Sequence, residues 1–244
     1  MVDPDYGTQS PAGAKKQPSH RFFWSFLTCL IVVFLFWNSP LLLPLKWLTV
    51  LFHELSHALV GWVTGGRLES LNITHRESGI CRVVGGNQTL FLMAGYPGSL
   101  CWGLAALYVA RQGRWLNGLL MLLALALGLV TLIYIRPIVH FGFFFGLSSA
   151  LAMGALGYYG HPVAQRFLIL LVGVASTLYV MLDIQADVFR FGGGVSDATL
   201  LARHTGIPAW IWGGVWYALA LALVIGATRT IWRWERQGKP RTLS

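Results

Sequence analysis

The chain has 244 residues, 55% of them hydrophobic and only 11% charged, with a mean hydropathy of +0.60. Too little polar surface is left to clothe a soluble globule of this size, so the composition points to an all-α polytopic membrane protein. The net charge of +9 sits mainly in the tails and between apolar runs, where lipid headgroups and topology account for it better than nucleic acid does.

Residues 1–20 carry Pro, Gly, Ser and Lys without apolar periodicity and are expected to form a disordered tail. The run from Arg21 to Trp37 is longer than a signal-peptide core and ends at Asn38-Ser39-Pro40 instead of a small-residue cleavage site, so it reads as a retained first span. Further apolar runs cover about 41–64, 90–110, 115–134, 138–158, 163–182 and 209–227, each near the roughly 20 residues a bilayer requires. About six to seven transmembrane helices are expected, in a membrane domain over 21–228 followed by a basic tail at 229–244. Cys29, Cys81 and Cys101 lack CxxC spacing and suggest neither a disulfide framework nor a cysteine zinc site.

Two connections are long. Residues 65–89 open with Gly65-Gly66 and then alternate Leu68, Ser70, Asn72 and Thr74 against Glu69, Leu71, Ile73 and His75, which predicts a small β-hairpin at the membrane surface. Residues 184–208 contain Gly192-Gly193-Gly194, an N-cap signal at Ser196-Asp197 and a stop at Gly206 and Pro208, which predicts a turn leading into a short surface helix. Lys15, Lys16 and Arg21 favour a cytoplasmic start, and Arg229, Arg233, Arg236, Lys239 and Arg241 a cytoplasmic end. Seven spans cannot satisfy both. Either one run is re-entrant or split, with 90–110 the first suspect because Gly95-Tyr96-Pro97-Gly98 interrupts it, or one basic flank lies on the opposite side.

Chemistry concentrates in His53-Glu54-Leu55-Ser56-His57, inside the second apolar run. On a helix, imidazoles at i and i+4 share one face about 6 Å apart along the axis, so His53 and His57 can hold one Zn2+ with Glu54 beside its open position as general base. Ionisable groups inside a span cost about 2.5–3.5 kcal/mol each on insertion scales, and three within five residues need a compensating interaction such as a metal. The bland alternative is a polar cluster bonded to neighbouring helices. A catalytic zinc takes three protein ligands, and the candidates for the third are Asp183, Asp187, His140 and His161. Asp183 is the expected one because it closes the apolar run at Leu182; Asp187, one helical turn on, is the alternative, as ligand or as the group that orients an imidazole.

The zinc helix, Ala94-Gly95-Tyr96-Pro97-Gly98-Ser99 and Leu182-Asp183-Ile184 together resemble, in this order, the site-2 protease class of intramembrane metalloproteases, peptidase family M50, and most closely its M50B-like branch. The resemblance implies a zinc metalloprotease that cleaves transmembrane protein substrates in the bilayer, with His53, His57 and Asp183 as ligands and Glu54 as base. Two departures stand out: Gly98-Ser99 replaces the family's Asn after its Gly-Pro element, and Ile184 replaces the Gly after Leu-Asp. Competing classes are an ion-coupled transporter, which would place ionisable groups along several spans where most here have none, and a non-catalytic M50-like scaffold, which has no use for Glu54 between two histidines.

Overall fold

Phe22, Phe26, Cys29 and Val33 recur at helical spacing and form the buried face of the first helix, α1 (Arg21–Leu35). A computed structural model describes residues 20–186 and 195–236. After α1, a single 3-10 turn leads into α2 (Leu43–Val63), which carries the two histidines and Glu54. A hairpin of β1 (Arg67–Ile73) and β2 (Gly79–Val84) follows, then α3 (Gln88–Met93), α4 (Gly95–Gln112), α5 (Leu116–Tyr134), α6 (Phe141–Tyr159), α7 (Pro162–Ile184), α8 (Asp197–Thr205) and α9 (Ala209–Arg236). Asp187, Gly192-Gly193-Gly194, residues 1–19 and residues 237–244 lie outside the described residues.

Four helices, α5, α6, α7 and α9, are long and apolar enough to cross a membrane. That is fewer than the sequence suggested: α1 has only 15 residues, α2 contains Lys46, His53, Glu54 and His57, and α4 is diluted by glycines and ends on Arg111-Gln112. The suspected break in 90–110 is present, since α3 ends at Met93 and α4 begins at Gly95. Helices pack through small residues, as expected where lipid offers no hydrophobic drive to associate. The buried stripe of α6 is Gly142, Gly146, Ala150, Met153 and Gly157. Gly103 of α4 approaches the backbone of α7 so closely that a Cβ there would lie 3.0 Å from the Gly173 carbonyl oxygen.

The predicted hairpin forms: β1 and β2 pair antiparallel from Arg67↔Val84 to Ile73↔Gly79, with an irregularity between Leu68 and Ser70. Leu71 and Ile73 are buried. The inner face of β2 runs along α2, with Gly79 against Glu54 and Val83 against Gly61. Its turn is tied to the start of α2 by an ion pair between Lys46 and Glu77 and by the Trp47 indole N–H donating to the His75 carbonyl at 3.2 Å. The predicted surface helix is α8, begun by a capping box between Ser196 and Thr199 and ended by Gly206 in a left-handed conformation.

Candidate metal centre

Helical spacing places both imidazoles of α2 on the face turned into the bundle, where His53, Glu54 and His57 are all buried. His57 Nδ1 donates to the Phe91 carbonyl at 2.6 Å, which holds a proton on that nitrogen and turns Nε2 into the site. That Nε2 lies 3.1 Å from His53 Nε2.

The carboxylate that meets them is Asp197, from the first turn of α8. Its Oδ2 is 2.8 Å from His53 Nε2 and 3.0 Å from His57 Nε2. Among the described residues this is the group of side chains whose ligand atoms could hold a metal ion. Tetrahedral ligands about 2.0–2.1 Å from zinc stand roughly 3.3 Å apart, close to the separations here, so nitrogen, nitrogen and carboxylate oxygen fit a zinc shell in number, kind and spacing. Burial opposes charge on Asp197, but the His57 and His53 imidazoles and their hydrogen bonds outweigh it and hold the carboxyl below the usual carboxylate range.

Asp183, the carboxylate expected from sequence, lines a cavity with the two imidazoles but is not in the group formed by His53, His57 and Asp197. The Tyr96 hydroxyl donates to Asp183 Oδ2 at 3.0 Å, and Tyr179 is its other phenolic partner. Both tyrosine rings stand edge-on to His53, with centroids 4.9 and 5.8 Å away. Asp183 thus orients the aromatic walls of the site. Sequence reading took Asp197 for a helix-start residue, because Asp in a first turn already has a reason to be there in the helix dipole. No local signal separates that role from ligation; only the folding of α8 back onto α2 does.

His140, His161 and His204 have partners of their own. His140 meets Asn72 at 3.1 Å, His161 caps α7 through the Val163 amide and His204 meets Thr89 at 3.1 Å. Each is away from the metal group.

A cavity of about 600 Å³ opens on the site, lined by His53, Glu54, His57, Tyr96, Asp183 and Asp197 with Gly79, Ile80 and Cys81 of β2. Burial, with the Glu54 and Asp197 carboxylates, pushes the Cys81 thiol up, so it faces the cavity as a neutral group. Two glycines are imposed by close approach. A Cβ on Gly79 would collide with the Glu54 carboxylate, and one on Gly95 with Nε2 of both His53 and His57. Gly98 stands in the same way against Ser56, while Ser99 is fully buried and is not among the residues lining the cavity.

The sequence matches the family model described as Peptidase M50B-like over residues 26–227. The chain belongs to that family. Comparison with curated proteins and with solved structures finds no match. M50B-like membership, with four helices long and apolar enough to span, makes the chain an integral, multi-pass membrane protein of a metallopeptidase family.

Proposed function

We propose that the chain is an intramembrane zinc metalloprotease whose metal is held by His53, His57 and Asp197, with Glu54 as general base and residues 21–228 as the protease domain. The observation that carries this reading is the convergence of His53 Nε2, His57 Nε2 and Asp197 Oδ2 beside Glu54 in one cavity.

Zinc bound there would supply a Lewis acid that lowers the pKa of water and polarises a peptide carbonyl. Glu54 accepts the proton of the attacking water and returns it to the leaving amine. Gly79 keeps the Glu54 carboxylate free of a neighbouring side chain, and Phe91 holds the His57 proton on Nδ1. Asp183 holds Tyr96 and, through it, the packing of His53.

The substrate is a transmembrane protein segment that must be extended before its backbone is accessible, because an intact helix satisfies its own hydrogen bonds. β1 occupies one edge of β2, and Gly79, Ile80 and Cys81 line the cavity, so an extended segment can add along the other edge and reach Glu54. Purified Glu54→Gln protein tests the reading: it should bind zinc stoichiometrically, lose cleavage by about 10²- to 10⁴-fold and trap substrate. Undiminished cleavage by this variant contradicts it.

A further inference from the structure

A second cavity, of about 730 Å³, adjoins the first between the far end of the hairpin, α3 and the last turn of α8. Phe91, Leu92 and Leu200 line both cavities and form the sill between them. β2 passes along both: Gly79, Ile80 and Cys81 border the first, and Val83, followed by Gly85 and Gly86, the second. Since β1 takes only one edge of β2, the other edge carries backbone hydrogen-bonding groups that an extended chain can use from one cavity into the next.

Charge changes along this path. Glu54, Glu77, Asp183 and Asp197 line the first cavity together with Arg76, whereas Arg203, His204 and Gln88 are the polar side chains of the second, and no carboxylate is among the described residues that border it. A basic residue in the last turn of a helix already has a reason to be there in the helix dipole; the dipole does not require that it border a cavity joined to the metal group, as Arg203 does. The ion pairs of the described carboxylates go to His20, Lys46, His53 and His57, so none of them occupies the Arg203 guanidinium. His204 meets Thr89 at 3.1 Å, which ties the last turn of α8 to the start of α3 and fixes the wall in which Arg203 sits.

Two rulers give the same spacing. Arg203 lies six residues after Asp197, about 9 Å along a helix at about 1.5 Å per residue, and an extended chain covers that length in about three residues. Along β2, Val83 lies four residues after Gly79, and an added strand keeps step with it residue for residue.

From the joined cavities, the unpaired edge of β2 and the placement of Arg203, we infer that the second cavity is a specificity subsite for an acidic side chain, Asp or Glu, of the bound substrate segment. Resting on the protease reading, this makes the preferred substrates membrane proteins with a carboxylate about three or four residues from the cleaved bond. The guanidinium donates to that carboxylate, and the carboxylates of the first cavity disfavour the same residue nearer the cut, so the two charges together set the register of the strand.

Binding is read in Glu54→Gln protein without cleavage, so failure here leaves the zinc and cleavage tests of the protease reading untouched, and the reverse. Three fluorescein-labelled synthetic peptides share one apolar, Val- and Gly-rich segment, differ only in a central Asp, Asn or Lys, and are added to the full chain in detergent micelles. Fluorescence anisotropy should rank Asp above Asn above Lys, with Asp bound about three- to tenfold more tightly than Asn. Arg203→Glu should invert the ranking and Arg203→Lys should keep it. Arg82→Glu, the same charge change on an exposed residue of β2 that lines neither cavity, should keep it as well. Equal binding of the three peptides, binding of none, a ranking unchanged in Arg203→Glu, or a ranking lost equally in Arg82→Glu overturns the inference.

Discussion

Gly79, the first residue of β2, lies directly against the Glu54 carboxylate, so the strand proposed to receive substrate also forms one wall around the proposed base. A methyl group there must displace either the strand or Glu54. Gly79→Ala should therefore lower the cleavage rate at least about tenfold, since misplacement of about 1 Å can cost far more, while zinc stays bound. Side-by-side metal analysis and peptide-bond cleavage assays check this; full activity would mean that the strand and Glu54 are not coupled.

Gly95 holds the corresponding position for the two histidines, because its Cβ would enter the space between the imidazole Nε2 atoms. Gly95→Ala should lose zinc, whereas Gly98→Ala, which meets Ser56 instead, should keep it. Zinc per protein after dialysis distinguishes the two.

Tyr96 is 2% exposed and its hydroxyl is bonded to Asp183. Tyr96→Phe leaves a buried carboxylate short of a donor, at a cost of about 1–3 kcal/mol. The variant should unfold at lower temperature in detergent and keep its zinc. Loss of zinc would bring Asp183 back as a ligand.

Lys46 is buried and paired with Glu77 in the hairpin turn. Lys46→Met should loosen the turn while leaving α2 in place. Faster amide exchange confined to about 74–79, with a lower cleavage rate and unchanged zinc, is the expected pattern.

Most of the site-bearing parts were legible in the sequence because each is encoded locally. His53, Glu54 and His57 declare themselves by spacing, the hairpin by alternation into Leu71 and Ile73, α8 by Ser196 and Gly206, and the break before α4 by Gly95 and Pro97. Asp197 was not legible as a partner of the two imidazoles, since its position depends on α8 folding back onto α2 across more than a hundred residues of chain. Asp183 was expected there because a carboxylate closing an apolar helix reads as a ligand, whereas the phenols that bond it, Tyr96 and Tyr179, come from two different helices. Four described helices are long and apolar enough to span where the sequence suggested six to seven, because the apolar run of α2 also carries Lys46, His53, Glu54 and His57 and the run 90–110 is broken before Gly95.

Zinc content of four purified proteins tests the centre most directly. Wild type, Glu54→Gln and Asp183→Asn should each hold one zinc per chain, and Asp197→Ala should hold none under the same dialysis. Retention of zinc by Asp197→Ala, together with its loss from Asp183→Asn, would contradict the assignment of Asp197 as the third ligand.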